Sequence, residues 1–193
     1  MVKIVKEIRT AALLFIAFSA LTGLVYPLFI TGIVNTAMPD KAGGSLLIVD
    51  GNVVGSELIG QKFTSPGYFH GRPSAVDYAA NGSGASNYGP TSAKLMVLVR
   101  QRVMEIRREN GMSPNESVPA DLVLASGSGL DPHISVEGAM LQVGRIARAR
   151  GLAQSEVRAL VNQHIEPAEA GVLGQDRINV LKLNMGLDDL ARR

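Results

Sequence analysis

The sequence predicts an α+β extracytoplasmic domain anchored by a single N-terminal transmembrane helix. Three observations predict it. No charged residue lies between Thr10 and Pro39. The basic residues Lys3, Lys6 and Arg9 flank that stretch on one side only. Beyond it, short strand-like segments with turn signals are mixed with longer segments of helical period, so the remainder is neither all-α nor a regular βα alternation.

The apolar core of the first segment, Ala11 to Val34, is 24 residues long. As a helix it spans roughly 36 Å, enough to cross a hydrocarbon core of about 30 Å with some tilt. A cleaved signal peptide has a shorter apolar region, and Asn35 two positions before Ala37 spoils a small-x-small cleavage site. Only Glu7 opposes the three basic residues of the leading flank, and Asp40 is the first charge on the far side. The positive-inside rule therefore places residues 1–10 in the cytoplasm, 11–34 in the membrane and 40–193 outside it. Within the helix, Thr22, Gly23, Tyr26 and Pro27 interrupt an aliphatic run. Pro27 lacks an N–H and is expected to kink the helix near Gly23. Ser19, Ala20 and Gly23 would let a neighbouring helix approach closely, although a lone anchor with an ordinary proline kink fits the same residues.

The outer part is electrically neutral. The chain has 19 basic and 17 acidic residues, and setting aside Lys3, Lys6, Arg9 and Glu7 leaves 16 of each. Without a basic stripe, a nucleic-acid partner is not expected. The absence of cysteine excludes thiolate chemistry and cysteine metal sites.

The elements follow in order. Ser45–Val49 and Val53–Gly55 flank Asp50-Gly51, a hairpin signal. Ser56 to Ile59 is read as opening a short helix, and Tyr68 to His70 as a short strand. Residues 74–90 are rich in Gly, Ser, Ala and Asn and are read as a long structured loop, with a functional role because loops of that length are uncommon. Leu95, Leu98, Val99, Val103 and Ile106 mark a helix from Thr91 to Asn110, stopped by Gly111. A second helix runs from Val136 to Arg150 between Ser135 and Gly151. A third covers Ser155 to His164, with Ser155 as its cap. Ile178 to Leu183 is read as a strand and Leu187 to Leu190 as a last helical turn.

The densest chemistry is the run Ser126-Gly127-Ser128-Gly129-Leu130-Asp131-Pro132-His133-Ile134-Ser135. Glycines and hydroxyls leading into a helix can bind an anion. The run fits neither G-x-G-x-x-G nor a P-loop, and no G-x-S-x-G elbow supports a Ser126–His133–Asp131 triad. The favoured reading is a rigid docking or structural turn. Its glycines take positive φ, Ser135 caps the helix, Asp131 bonds the following backbone and His133 bonds a loop carbonyl.

The order of motifs resembles one family along nearly the whole chain. They are Thr22-Gly23 with Tyr26-Pro27-Leu28, Gly60-Gln61 with Phe63, and Tyr68-Phe69-His70-Gly71-Arg72-Pro73-Ser74-Ala75. Gly84-Ala85-Ser86-Asn87-Tyr88-Gly89-Pro90, Pro119-Ala120-Asp121 and the Ser126–Ser135 run follow. Gln142, Arg145, Ala149-Arg150-Gly151-Leu152, Val180-Leu181 and Leu183-Asn184 complete the set. The chain resembles the C subunit of the Kdp potassium-transporting P-type ATPase, KdpC, with Leu124 and Val136 where a threonine and a proline are expected.

The resemblance implies a single-pass accessory subunit of the bacterial cytoplasmic (inner) membrane. Its partners would be a pore-forming K⁺-selective subunit, the P-type ATPase catalytic subunit and a small peptide-like subunit. It implies a role in assembly and activation, described for such subunits as raising the ATP affinity of the catalytic subunit. ATP and potassium would be handled by the complex, with no cofactor held by this chain alone. The chain lacks the D-K-T-G phosphorylation motif, so it is not the catalytic subunit. The residues marked for subunit contact or structure are Thr22, Gly23, Tyr26, Pro27, Phe69, Arg72, Ser86, Asn87, Ser126, Gly127, Ser128, Gly129, Asp131 and His133. The rival expectations are a membrane-anchored serine hydrolase using Ser126 or Ser128 with His133, or a tethered solute-binding domain.

Overall fold

The structure, a computed structural model, describes residues 2–192. It divides into two compact units, one up to Leu46 and one from Leu47 on.

The first unit is dominated by a continuous helix. α1 (Val2–Ala20) runs through a π-helical turn (Leu21–Val25) into α2 (Tyr26–Ala37). The apolar stretch Lys3–Ala37 is 35 residues long and none of its most apolar window is buried. The helix thus exceeds the expected 11–34 span at both ends, because no breaker separates the basic flank from the apolar run. It ends where Met38, held extended at φ −145° before Pro39, breaks the ladder. The short α3 (Pro39–Ala42) follows. A π-turn stands where a proline kink was expected. Tyr26 N–H donates to Leu21 O, five residues back. The wider turn moves backbone away from the Pro27 ring, which would collide with a carbonyl in a regular α-helix.

The second unit opens with a hairpin of β1 (Leu46–Val49) and β2 (Asn52–Ser56). Asp50 and Gly51 both have positive φ, 50° and 78°, as a type I′ turn requires. Ser56 to Ile59 is a turn, not a helix. Ser56 Oγ accepts from Leu58 N and Ser56 O from Ile59 N. Residues 74–90 carry no strand or helix, as expected. α4 (Ala93–Asn110) is capped by Ser92, whose side chain accepts from Leu95 N, and ends at Gly111 with φ 68°. The short α5 (Ala120–Val123) follows.

A three-stranded antiparallel sheet, in the order β3 (His133–Ser135), β5 (Arg177–Asn179), β4 (Ile165–Glu166), backs the remaining helices. Ile134 and Ile165 both face Ile178 across the ladder, and Ser135 and Glu166 both face Arg177. α6 (Val136–Arg150) starts at Ser135, whose hydroxyl accepts from Gly138 N, and stops at Gly151 with φ 68°. α7 (Gln154–Gln163) begins one residue earlier than expected. Ser155 lies inside its first turn, and Glu156 instead reaches back to Ala153 N at 2.9 Å. The strand expected over Ile178–Leu183 ends at Asn179. That residue's side chain accepts from Lys182 N and starts α8 (Val180–Ala191). The apolar faces of α6, α7 and α8 meet over β5, burying Val143, Ile146, Val157, Val161, Ile178, Leu183 and Leu187.

Tyr68 to His70 is the other corrected strand. The segment pairs with side chains, not with a neighbouring strand. Asn184 Oδ1 accepts from Phe69 N (2.8 Å) while its Nδ2 donates to Phe69 O (3.0 Å). Gln142 does the same for His70, at 2.8 and 3.1 Å. Two amides thus supply what a strand ladder would, and Phe69 sits at zero exposure in the core.

Candidate functional site

Two loops, 74–90 and 126–135, are stitched together in the second unit. Ser74 Oγ donates to Gly129 O (2.7 Å) and accepts from Val76 N and Tyr78 N. Gly84 N and Ser83 Oγ both donate to Ser128 O, at 2.8 and 3.0 Å. Gly129 has φ 69°, and a Cβ there would lie 2.6 Å from Val76 Cγ2 and 2.7 Å from Gly84 O. The joint therefore needs glycine at 129 for both conformation and room. Gly127 differs. It is absent from the residues of positive φ, and a Cβ there would meet nothing within 4 Å. The expectation that both glycines set the turn is corrected to Gly129 alone.

Both serines accept from backbone of their own turn, Ser126 buried and Ser128 exposed. Ser126, 5% exposed, accepts from Gly129 N at 2.9 Å, and Ser128 Oγ accepts from Leu130 N at 3.1 Å. Asp131 Oδ1 accepts from His133 N, the expected bond to the following backbone, and Oδ2 receives Arg72 Nη1 at 3.0 Å. Arg72 Nε is buried with no hydrogen-bond partner among the described residues. Tyr78 Oη donates to Arg72 O. Burial works against the Asp131 charge. Hydrogen bonds from the His133 side chain and backbone, and the Arg72 guanidinium, outweigh it and hold the carboxyl below its usual range. Tyr78 is pushed up to about 12, first by burial and then by Asp131.

His133 does not bond a loop carbonyl. Its Nδ1 lies 3.4 Å from Asp131 Oδ1 and its Nε2 lies 3.6 Å from Glu166 Oε2. Glu166 also meets Arg177 (3.4 Å) and Lys182 (3.5 Å), and Lys182 pairs with Glu57 at 2.6 Å. The imidazole thus sits between Asp131, which Arg72 pairs, and Glu166, which Arg177 and Lys182 pair. Among the described residues no hydrogen bond joins Ser126 or Ser128 to His133, so the residues proposed for a hydrolase are not assembled as nucleophile and base.

The structure brings together Arg72, Asp131, His133 and the Ser126–Gly129 turn. It does not bring Ser86 and Asn87 to that turn; Ser83 and Gly84 of the same loop make the contact. Asn87, at φ 53°, donates only to Ala85 O. Phe69 is a core residue. Thr22, Gly23, Tyr26 and Pro27 belong to the other unit, where they form the π-turn and its exit. Sequence reasoning missed Glu57, Ser74, Glu166, Arg177 and Lys182. It also missed Asp121, which accepts from Ser135 N at 2.6 Å and from Ser135 Oγ at 3.1 Å. Its Pro-Ala-Asp context was a signal, whereas the ion-pair partners carried none.

A cleft of about 320 Å³ opens beside this joint, lined by His70, Arg72, Tyr78, Arg102, Glu105 and Glu109 among others. Its cations are engaged: Arg72 with Asp131, Lys62 with Asp77, and Arg102 with Val123 O. His70 is held below its usual value, first by burial and then by the Arg145 charge.

A family model described as K⁺-transporting ATPase, c chain, matches residues 8–189. A potassium-transporting ATPase KdpC subunit from Cereibacter sphaeroides is 52% identical over 94% of this chain and 96% of its own length. One from Rhodopseudomonas palustris is 47% identical over 97% of this chain and 99% of its own length. One from Caldanaerobacter subterraneus is 47% identical, with 94% of each covered. A match of that extent, over both the membrane helix and the stitched loops, means that the chain belongs to the KdpC family, the c chain of K⁺-transporting ATPases.

Proposed function

We propose that this chain is a non-catalytic accessory subunit of an ATP-driven, high-affinity potassium uptake complex, needed for the complex to assemble and become active. The observation that carries the reading is the family match over residues 8–189. The site geometry supports it: the Ser74 and Ser83 hydroxyls tie one loop to the other, while Ser126, Ser128 and Asp131 brace the backbone of their own turn, which suits a docking surface better than a reaction. The partners are the pore-forming K⁺-selective subunit, the P-type ATPase catalytic subunit and the small peptide-like subunit. ATP and K⁺ are bound by those partners. The chain sits in the bacterial cytoplasmic membrane with Lys3, Lys6 and Arg9 inside and the outer unit on the far side. Raising the ATP affinity of the catalytic subunit then requires coupling through the membrane helix or the pore subunit, by an element with two states that both sites bias.

Deleting the chain tests the assembly role. The pore and ATPase subunits should no longer co-purify, and their recovery as an active complex would refute it. Protease added to intact spheroplasts should remove residues from about 40 onward. Protection there, with cleavage in inverted vesicles, would reverse the topology.

A further inference from the structure

The membrane helix contains a backbone acceptor with no donor in its own ladder. In a regular α-helix Thr22 O would receive Tyr26 N–H, but that group donates to Leu21 O. In a π-turn Thr22 O would receive the N–H of residue 27, and Pro27 has none. The α-helical donor for Gly23 O is the same missing N–H. The Thr22 hydroxyl offers no repair, since it donates to Phe18 O at 2.7 Å. Both carbonyls lie at the midpoint of the apolar stretch from Ala11 to Val34, where the bilayer offers no water. An unpaired peptide carbonyl in that environment costs on the order of several kcal/mol. The surface beside it is open: a Cβ at Gly23 would meet nothing within 4 Å.

We propose that the π-turn is a docking site for a transmembrane helix of a partner subunit, which brings a side-chain O–H or N–H through the Gly23 notch to the Thr22 carbonyl. The inference rests on the assembly reading above and gives that contact its chemistry. Lipid tails carry no donor, and headgroups lie about half a bilayer, roughly 15 Å, away. A helix presenting Ser, Thr, Asn, Gln or Tyr at this depth meets the need, and close backbone approach at small residues is how membrane helices pack. The π-turn then acts as a polar key in an otherwise apolar contact and fixes depth and rotation of the anchor.

The test uses the full chain in the assembled complex in native membranes. A photo-crosslinking residue is placed singly along positions 15–30. Crosslinks should peak at Ser19 and Tyr26, one turn either side of Gly23. The captured partner segment should carry a hydroxyl or amide side chain at that depth. Gly23→Leu, which still inserts because leucine is favourable in the membrane, should cut co-purification roughly tenfold. Pro27→Ala returns the missing N–H, letting the ladder close, and should lower it several-fold. Crosslinks spread evenly round the helix, an all-aliphatic partner segment, capture of a second copy of this chain alone, or unchanged recovery of both variants would each overturn the docking site. The first three outcomes with the chain still in the complex leave the assembly reading standing. A chain that never co-isolates with a pump subunit overturns both.

Discussion

Gly129→Val should be the most damaging single substitution in the second unit, while Gly127→Val two residues earlier should be nearly silent. At position 129 the backbone has φ 69°, a region a β-branched residue avoids at a cost of about 1–3 kcal/mol. A Cβ there would also press on Val76 Cγ2 at 2.6 Å and on the Gly84 carbonyl at 2.7 Å, where the two loops are joined. Overpacking of that kind adds typically about 1–3 kcal/mol, because the carbonyl cannot swing aside as the end of a long side chain can. The total, on the order of 3 kcal/mol or more, is a large part of a domain's stability. Position 127 is exposed and open, so the same residue there should shift stability by less than about 0.5 kcal/mol. Thermal unfolding of the full chain in detergent, followed by circular dichroism, separates the two. Equal melting of Gly129→Val and the parent chain would mean that the stitched joint is not what holds the loops.

Asn184→Ala should rank second. The Asn184 amide is 2% exposed and serves both backbone groups of Phe69, which is itself fully buried. Its loss strands one N–H and one carbonyl in the core, at about 1–3 kcal/mol each, and leaves a small cavity. A loss of about 2–5 kcal/mol is expected, read as a lower urea midpoint. Asn115→Ala is the control, since Asn115 is exposed and its φ is not positive. If Asn184→Ala leaves the midpoint in place, the amide clamp is not what fixes Phe69.

Much of this was legible in the sequence, for local reasons. The apolar span, the Asp50-Gly51 turn, the caps at Ser135 and the glycine stops at 111 and 151 depend on neighbours within about five residues, and each was found. The strand expected at Tyr68–His70 failed because its partners are side chains 115 and 72 residues away. A β-like pattern says that backbone is extended, not what satisfies it. Ile178–Leu183 failed because Val180, Leu181 and Leu183 suit a buried helix face as well as a strand, and Asn179 as a cap decided the matter. β3 and β4, three and two residues long, are too short to show alternation. Gly127 and Gly129 look alike in sequence, and only φ and close approach distinguish them. His133 was assigned a carbonyl because its second partner, Glu166, is distant in sequence. A break near Gly23 and Pro27 was legible, but its form as a π-turn was not.

The most direct test of the central claim, that the second unit works by docking and not by chemistry, is K⁺-stimulated ATP hydrolysis by complex carrying the doubly substituted Ser126→Ala, Ser128→Ala chain. The serines here accept hydrogen bonds from Gly129 N and Leu130 N, each worth about 1 kcal/mol to local structure. The account predicts an assembled complex whose hydrolysis stays within about twofold of the parent. A complex that assembles fully, with the second unit folded, yet hydrolyses no ATP in response to K⁺ would contradict it and return the Ser126–Ser135 run to ligand binding or catalysis.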